Sequence, residues 1–302
     1  MTSRLHGRTG AALAFLAAPS SLYLVALVVV ALLAPLIAPV SPTAMSPEHV
    51  LQPPSSAHLF GTDQFGRDVL SRTIWGARPT LAVAALSTLL ATAVGVPLGL
   101  LAGSAGRWTS GPIMRVMDVL LAFPGILLAL VVVTVMGSGL STVVVAVAVS
   151  LVPIFARLVY GETTSLVQRQ FIHSARIVGV GRARILGRHV LPNLTSQVLV
   201  SATTMIGWAI LIAASLNFLG FGVHPPSADW GVDLSNGIRY VNTAWWYATF
   251  PGLAIAATIL AVNRLGDRLA ARLDPRQAER ATLAPLETAP LVTAPGTPDG
   301  AP

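Results

Sequence analysis

Residues 168–193 read QRQFIHSARIVGVGRARILGRHVLPN and separate two apolar runs, each long enough to cross a bilayer. Apolar residues recur at helical spacing on both sides of a break at Gly179–Gly181, and Pro192 stands where a new helix can begin. The pattern of this stretch, called the arginine loop below, predicts two short amphipathic helices joined by a glycine turn. An ordinary solvated loop is the alternative, because positive charge accumulates in cytoplasmic loops. The arginines concerned are Arg169, Arg176, Arg182, Arg184 and Arg188.

The composition of the whole chain excludes an ordinary soluble domain. Hydrophobic residues make up 54% of the 302 residues and charged residues only 10%, with a mean hydropathy of +0.72. Soluble domains carry about a quarter of charged residues. We therefore expect a multi-pass membrane protein. The net charge of +7 comes from arginines that lie mainly between the apolar runs, which favours membrane lipid or an acidic protein as a partner over nucleic acid.

Two residue types are missing from the sequence, and each absence excludes a chemistry. The chain has no lysine, whereas a Walker A phosphate loop needs a lysine to reach the phosphates of ATP. Any ATPase must therefore be a separate subunit. The chain also has no cysteine, which excludes disulfides, thiol nucleophiles and cysteine-ligated metals.

Apolar length predicts six membrane spans, because about 20 residues suffice to cross the hydrocarbon core. A cleaved signal peptide is the alternative for the first span, but that apolar run is longer than a typical signal and contains Pro35 and Pro39 near any cleavage site. The predicted spans are 20–37, 81–102, 119–136, 143–158, 194–216 and 247–262.

Within the second span, Gly95, Gly99 and Gly103 repeat every fourth residue. Such a stripe allows two helix backbones to approach closely in lipid, although glycine is also common in membrane helices without this role. Asp118, with Arg115 one turn earlier, marks the entry of the third span. The middle of each predicted span carries no charge.

The proline-rich segment between the first two spans is predicted to lie outside the bilayer, where its backbone can reach water. Asp63 and Asp68 accompany glycines there and indicate turn and helix-cap chemistry. A metal site that also uses His49 and His58 is the less favoured alternative.

Four strings resemble the oligopeptide, dipeptide and nickel branch of binding-protein-dependent ABC importer permeases. The longest is FGTDQFGRDVLSRTIWGAR at 60–78, which is similar to the segment before the permease core of that branch. Further matches are LNFLGFGVHPPSADWGVDLSNG at 216–237, NRLGD at 263–267 and LDP at 273–275, so the resemblance covers about residues 20–276.

The arginine loop itself resembles the cytoplasmic coupling loop of these permeases, through which a separate ATPase moves the pore. One departure is that His173–Ser174–Ala175 stands where the family usually has Glu-Ala-Ala, so a salt bridge made by that glutamate is absent or replaced. The resemblance implies the ATPase-coupling residues His173, Ser174, Ala175, Gly179, Ile185, His189, Leu191 and Pro192.

The resemblance implies an all-α integral membrane fold with one N-terminal helix and a five-helix type I ABC importer permease core. The expected function is half of a translocation pore for peptides, with no catalytic, cofactor or metal site of its own. The expected partners are a second homologous permease, cytoplasmic ATP-binding subunits and an extracytoplasmic substrate-binding protein. The predicted segments are a cytoplasmic N-terminus (1–19), a first helix (20–38), an extracytoplasmic segment (39–79), the core (80–275) and a disordered tail (276–302).

The distribution of arginine predicts the orientation in a prokaryotic inner membrane. With six spans, fifteen of the nineteen arginines fall on the side of the arginine loop and both termini. The remaining four are Arg67, Arg72, Arg78 and Arg239. Because positive charge marks the cytoplasmic side, the arginine loop and both termini are predicted to be cytoplasmic.

Three other functions are alternatives to a peptide permease. A nickel or other small-solute importer differs only in cargo, which the sequence does not specify. An integral-membrane enzyme would use His173 and His189, but their separation fits no compact ligand motif and no carboxylate cluster accompanies them. A proton-coupled transporter normally places ionisable residues inside its spans. The predicted spans carry no charge in their middle, which argues against this alternative.

Overall fold

The computed structural model describes residues 18–222 and 226–273, and within these ranges the chain is helical apart from turns and one isolated bridge between Thr62 and Asp68. This confirms the predicted all-α class. Most of the predicted N-terminal segment (1–19) and all of the predicted tail (276–302) lie outside the described residues. The helices are α1 (Pro19–Leu32), α2 (Ala34–Ile37), α3 (Val69–Ser104), α4 (Arg107–Ala122), α5 (Gly125–Met136), α6 (Leu140–Val167), α7 (Gln170–Ile177), α8 (Arg182–Ile185), α9 (Leu191–Phe218), α10 (Trp230–Ile238) and α11 (Trp245–Leu273).

Helices α3 and α6 pack along each other at the centre of the bundle. The stripe of Gly95, Gly99 and Gly103 faces α6, and a Cβ placed on Gly99 would lie 2.5 Å from the carbonyl oxygen of Ala156. Cβ atoms at the other two glycines would lie 2.6–2.7 Å from side chains of α6. The glycine stripe therefore sets the distance between the two central helices, as the four-residue spacing suggested.

In the part of the chain that the structure describes, four helices are long and apolar enough to span a membrane on their own: α3, α6, α11 and the continuous helix at 182–218. The third predicted span, 119–136, was wrong as a single helix, because α4 and α5 meet at a 96° bend. The break falls at Phe123–Pro124, where Phe123 has the extended conformation that a residue before proline prefers. With the bent pair counted as one span, the described residues form five long spans.

The N-terminal helix is shorter than the others and packs on the outside of the bundle. Helix α1 has 14 residues and contacts α3 and α11. The Tyr23 hydroxyl lies 3.2 Å from Thr258 Oγ1, and Arg268 donates to Ser20 Oγ at 3.0 Å. These polar contacts connect α1, the first described helix, to α11, the last described helix.

Helix α3 separates two polar ends of the molecule. Its 36 residues correspond to about 54 Å. Its last turn lies beside the arginine loop, since Arg182 Nη2 donates to the Ser104 carbonyl oxygen. Its first turn lies in a compact polar region formed by residues 41–72 and 226–244, called the ionic cap below.

We expect Gly99→Ala to destabilise the protein by about 1–3 kcal/mol, because the added methyl group overlaps the backbone of α6. Thermal unfolding in detergent measures the effect. Gly161→Ala is the matched control, since Gly161 lies within α6 and an added Cβ there meets no atom within 4 Å. Equal stability of the two variants would contradict the role of the glycine stripe.

Candidate functional site

The first half of the arginine loop is anchored by one buried side chain. Ile172 of α7 is fully buried in an apolar cluster with residues from the ends of α6 and α9 and from α8. The buried partners are Val159, Leu166, Ile185, Val190 and Leu194. The short helix is therefore held against the bundle and is not a freely moving loop.

Helix α7 ends in a glycine turn with a defined hydrogen-bond pattern. The Gly179 N–H donates to the Arg176 carbonyl at 3.0 Å, and the Val180 N–H donates to the Ala175 carbonyl at 3.0 Å. This pair of bonds is a Schellman motif, which places its glycine in the left-handed region. Gly179 has a φ of +83°, and a Cβ added there would meet no atom within 4 Å. Conformation, and not lack of space, therefore requires glycine at this position.

The tip of the arginine loop is apolar and exposed. Ile177 and Val178 are 86% and 82% exposed, whereas Ile172 is buried. Ile172 and Ile177 both belong to the apolar pattern before the glycine break, but five residues along a helix correspond to a rotation of about 140°. The two side chains consequently lie on different faces, one turned to the bundle and one turned away from it.

The second half of the arginine loop continues directly into a membrane helix. Helix α8 passes through a π turn at Leu186–Val190 into α9, so no separate helix begins at Pro192 as the sequence suggested. The wider π turn comes just before Pro192, which has no N–H to bond the carbonyl four residues earlier. The Asn193 side chain donates to the His189 carbonyl at 2.5 Å. The Leu-Pro-Asn string thus marks a change of helical pitch within one helix.

The eight residues implied by the resemblance fall into groups with different environments. Ile185 is buried in the anchoring cluster, and Ala175 and His189 are half-buried. Ser174, Gly179, Leu191 and Pro192 are exposed, and His173 lies within α7. The loop therefore combines residues that fix its position with residues that face outward.

At the opposite end, the ionic cap is built around Arg72. Its Nε and Nη2 donate to Asp233 Oδ1 at 3.0 and 2.5 Å, and its Nη1 donates to the carbonyl oxygens of Pro42 and Pro226. Asp63 accepts from Arg67 Nε at 2.6 Å, and its other oxygen accepts from two backbone N–H groups in the same turn. Each of these four charged side chains is at most 4% exposed. One guanidinium thus joins three segments of the chain.

Helix caps complete the ionic cap. As the sequence predicted, Asp68 caps α3 by accepting from the Ser71 N–H at 2.7 Å, and its other oxygen lies 3.0 Å from His58 Nδ1. Asp229 caps α10 in the same way. Burial raises the pKa of Asp229, and burial raises the pKa of Asp233 to about 6 although Arg72 opposes this shift. The Arg72–Asp233 pair was not predicted, because 161 residues separate its members and no local pattern signals it.

A groove opens beside the bend between α4 and α5. It has a volume of about 430 Å³ and is lined by Pro124 and Gly125 at the bend, Ser150 of α6, and Trp208 and Ser215 of α9. Trp208 is 55% exposed although it lies in the middle of a spanning helix. The groove is open along one side of the bundle and is lined mostly by apolar groups with a few hydroxyls.

Comparison with known proteins assigns this arrangement to a family. Residues 95–279, more than half of the chain, match the family described as "binding-protein-dependent transport system inner membrane component". The chain belongs to this family. It is accordingly a multi-pass permease subunit of an inner-membrane ABC importer.

Several relatives of this permease match it over most of their length. It is 41% identical over 249 residues to a dipeptide transport system permease of Alkalihalophilus pseudofirmus, with 82% of each chain covered. It is 49% identical over 223 residues to a glutathione transport system permease of Pectobacterium atrosepticum, with 74% of each chain covered. A di/tripeptide transport system permease of Pseudomonas aeruginosa is 39% identical, with 84% of this permease and 86% of the relative covered.

Solved structures agree with the predicted core. A chain of an inward-facing methionine ABC transporter matches with a TM-score of 0.55 at 18% identity, covering 68% of this permease and 96% of that chain. The type I importer permease fold is therefore present, as the sequence predicted.

We expect Arg72→Leu to cost about 3–5 kcal/mol of stability, because it leaves the buried carboxylate of Asp233 without its partner. Burial already raises the pKa of Asp233 to about 6, so the folded variant binds a proton more readily than the unfolded chain. Stability of the variant should therefore increase as the pH falls from about 8 to about 5. Thermal unfolding across this range measures both effects.

Arg157→Leu is the control for this experiment. Arg157 pairs with Asp118 between α6 and α4, but the two side chains are 57% and 46% exposed. Loss of an exposed pair costs about 0–1 kcal/mol. A similar loss in both variants, or a loss in Arg72→Leu that does not change with pH, would contradict the proposed importance of the buried pair.

Proposed function

We propose that this permease forms half of the pore of an ATP-driven importer of short peptides, and that a separate ATPase drives it through the arginine loop. The cargo is inferred from the relatives, whose names specify dipeptides, di- and tripeptides and glutathione. These are all short peptides, which favours peptides over nickel as the cargo.

The exposed apolar tip of the arginine loop carries the coupling proposal. Ile177 and Val178 extend from α7 almost fully exposed, on a helix that Ile172 fixes to the bundle. Exposed apolar residues presented on a fixed scaffold are typical of a surface that a partner covers. A cleft on a cytoplasmic ATP-binding subunit is the partner expected for this family.

The continuity of α8 and α9 supplies a path for the movement. One helix runs from Arg182 to Phe218, so a displacement of the arginine loop is transmitted to the wall of the groove, where Trp208 and Ser215 lie. Movement of α7 also bears on α6 through the buried cluster around Ile172. The ATPase changes the pore only if its closed and open forms contact the loop differently.

The remaining partners follow from the open surfaces. The groove beside the bend is open along one side of the bundle, which suits a second homologous permease completing the path. The ionic cap lies at the end of the bundle opposite the arginine loop. We therefore place the substrate-binding protein at the ionic cap and both termini in the cytoplasm. Segments 1–19 and 276–302 are then cytoplasmic and segment 39–79 extracytoplasmic. Membrane lipid covers the outer apolar faces.

We expect Gly179→Val to insert normally but to lose binding-protein-stimulated ATP hydrolysis and peptide uptake. A β-branched residue at a φ of +83° costs about 1–3 kcal/mol and should shift the end of α7. Reconstituted complexes containing the partner permease, the ATPase and the binding protein would measure assembly, hydrolysis and uptake.

Gly181→Val is the matched control for the glycine turn. Gly181 has an ordinary φ of −64°, lies two residues away and has equally open surroundings. It should retain coupling. Normal stimulated uptake by Gly179→Val would require withdrawal of the coupling role at this position.

The orientation can be tested with single cysteines, since the chain has none of its own. Ser56 in the ionic cap and Ala183 in the arginine loop are both exposed. In intact cells, a membrane-impermeant thiol reagent should label Ser56→Cys, whereas Ala183→Cys should react only after permeabilisation. The reverse pattern would invert the proposed topology.

A further inference from the structure

A cavity of about 420 Å³ lies between the arginine loop and the ends of the two central helices. Its walls come from the last turn of α3 and the turn that follows (Gly103–Gly106), from Thr164, Val167 and Gln168 at the end of α6, and from Arg176 and Arg182. The cavity therefore joins the membrane helices to the loop on which coupling depends.

The cavity carries positive charge without a balancing carboxylate among its described lining residues. Arg182 donates one N–H to the Ser104 carbonyl, which caps the end of α3 and leaves its other donors available. The Arg176 guanidinium makes no hydrogen bond or ion pair with any group that the structure describes in the ranges 18–222 and 226–273. The contact with Ser104 therefore explains the position of Arg182, whereas the Arg176 guanidinium is available to bind an anion.

The position of the cavity corresponds to the headgroup level of a bilayer. The apolar part of α3 ends at Ala102, directly before the cavity, and headgroups occupy about 5–8 Å beyond the hydrocarbon on each side. Trp108, in the first turn of α4, is 94% exposed. An exposed tryptophan beside arginine is typical of the membrane interface. Arg107 is also exposed there and adds to the local positive charge.

We propose that this cavity binds the phosphate group of an anionic phospholipid, and that the bound lipid connects α3 and α6 to the arginine loop. Arginine suits this role because its planar guanidinium can donate two parallel hydrogen bonds to phosphate. Since Arg176 lies on α7, the occupied cavity restrains the helix that presents the exposed tip. Lipid composition thereby regulates how well the ATPase is coupled to the pore, an effect that rests on the coupling role proposed above.

The test uses the complete transporter in nanodiscs of phosphatidylcholine alone or with phosphatidylglycerol. For the unmodified permease, we expect binding-protein-stimulated ATP hydrolysis to be roughly fivefold higher with phosphatidylglycerol. Arg176→Gln should lose most of this response while keeping the bond between Arg182 and Ser104. The control Arg184→Gln removes an exposed arginine of the same loop that does not line the cavity, and it should retain the response.

Two further experiments distinguish a lipid from a free anion and test the lipid site independently of the coupling proposal. Inorganic phosphate added to phosphatidylcholine nanodiscs should not restore hydrolysis, and restoration would overturn the lipid proposal in favour of a free-anion site. Native mass spectrometry should detect phosphatidylglycerol retained by the unmodified complex and by Arg184→Gln, but not by Arg176→Gln.

Equal retention and equal response in all three proteins would overturn the lipid site. Loss of ATPase assembly by Arg176→Gln in both lipid mixtures would overturn it as well, since an acidic side chain of the ATPase would then be the occupant. If hydrolysis is not stimulated in any complex, the importer proposal fails, but lipid retention still decides the site.

Discussion

The close contact of α3 with α6 is the constraint on which the rest of the bundle depends. At Gly95, Gly99 and Gly103, α3 contributes no side chain to the contact, so the distance between the two helices is fixed near the end of α3. The other long helices pack against α3 and α6, or against a helix that contacts one of them. Lipid offers little hydrophobic drive for such association, so close packing must supply it.

The two ends of the bundle use different means to hold their shape. The ionic cap is closed by buried ion pairs and capped helices, in which removal of a single partner leaves a charge in an apolar environment. The arginine loop is held by an apolar cluster around Ile172 and by a glycine turn, and its other face is exposed. A cap closed by buried ion pairs and a loop anchored on one face and exposed on the other suit the partners proposed for the two ends.

Local patterns in the sequence sufficed for the class of the fold, the glycine stripe, the cap at Asp68 and the turn at Gly179. They failed where the outcome depends on geometry between elements. Apolar length alone could not show that proline bends the segment 119–136, nor that a π turn carries α8 through Pro192 into α9. The Arg72–Asp233 pair joins distant parts of the chain, so it becomes visible only when the helices are in place.

The separation of Arg72 from Asp233 also orders the events of biosynthesis. Arg72 leaves the ribosome 161 residues before its carboxylate partner, an interval of roughly 8–32 s at ordinary rates of translation. During that time its guanidinium must stay hydrated or find a temporary partner, and the segments that it later joins stay apart. A chain that terminates before residue 233 can never close the cap. Closure of the ionic cap must therefore follow the synthesis of α10, however early the first helices enter the membrane.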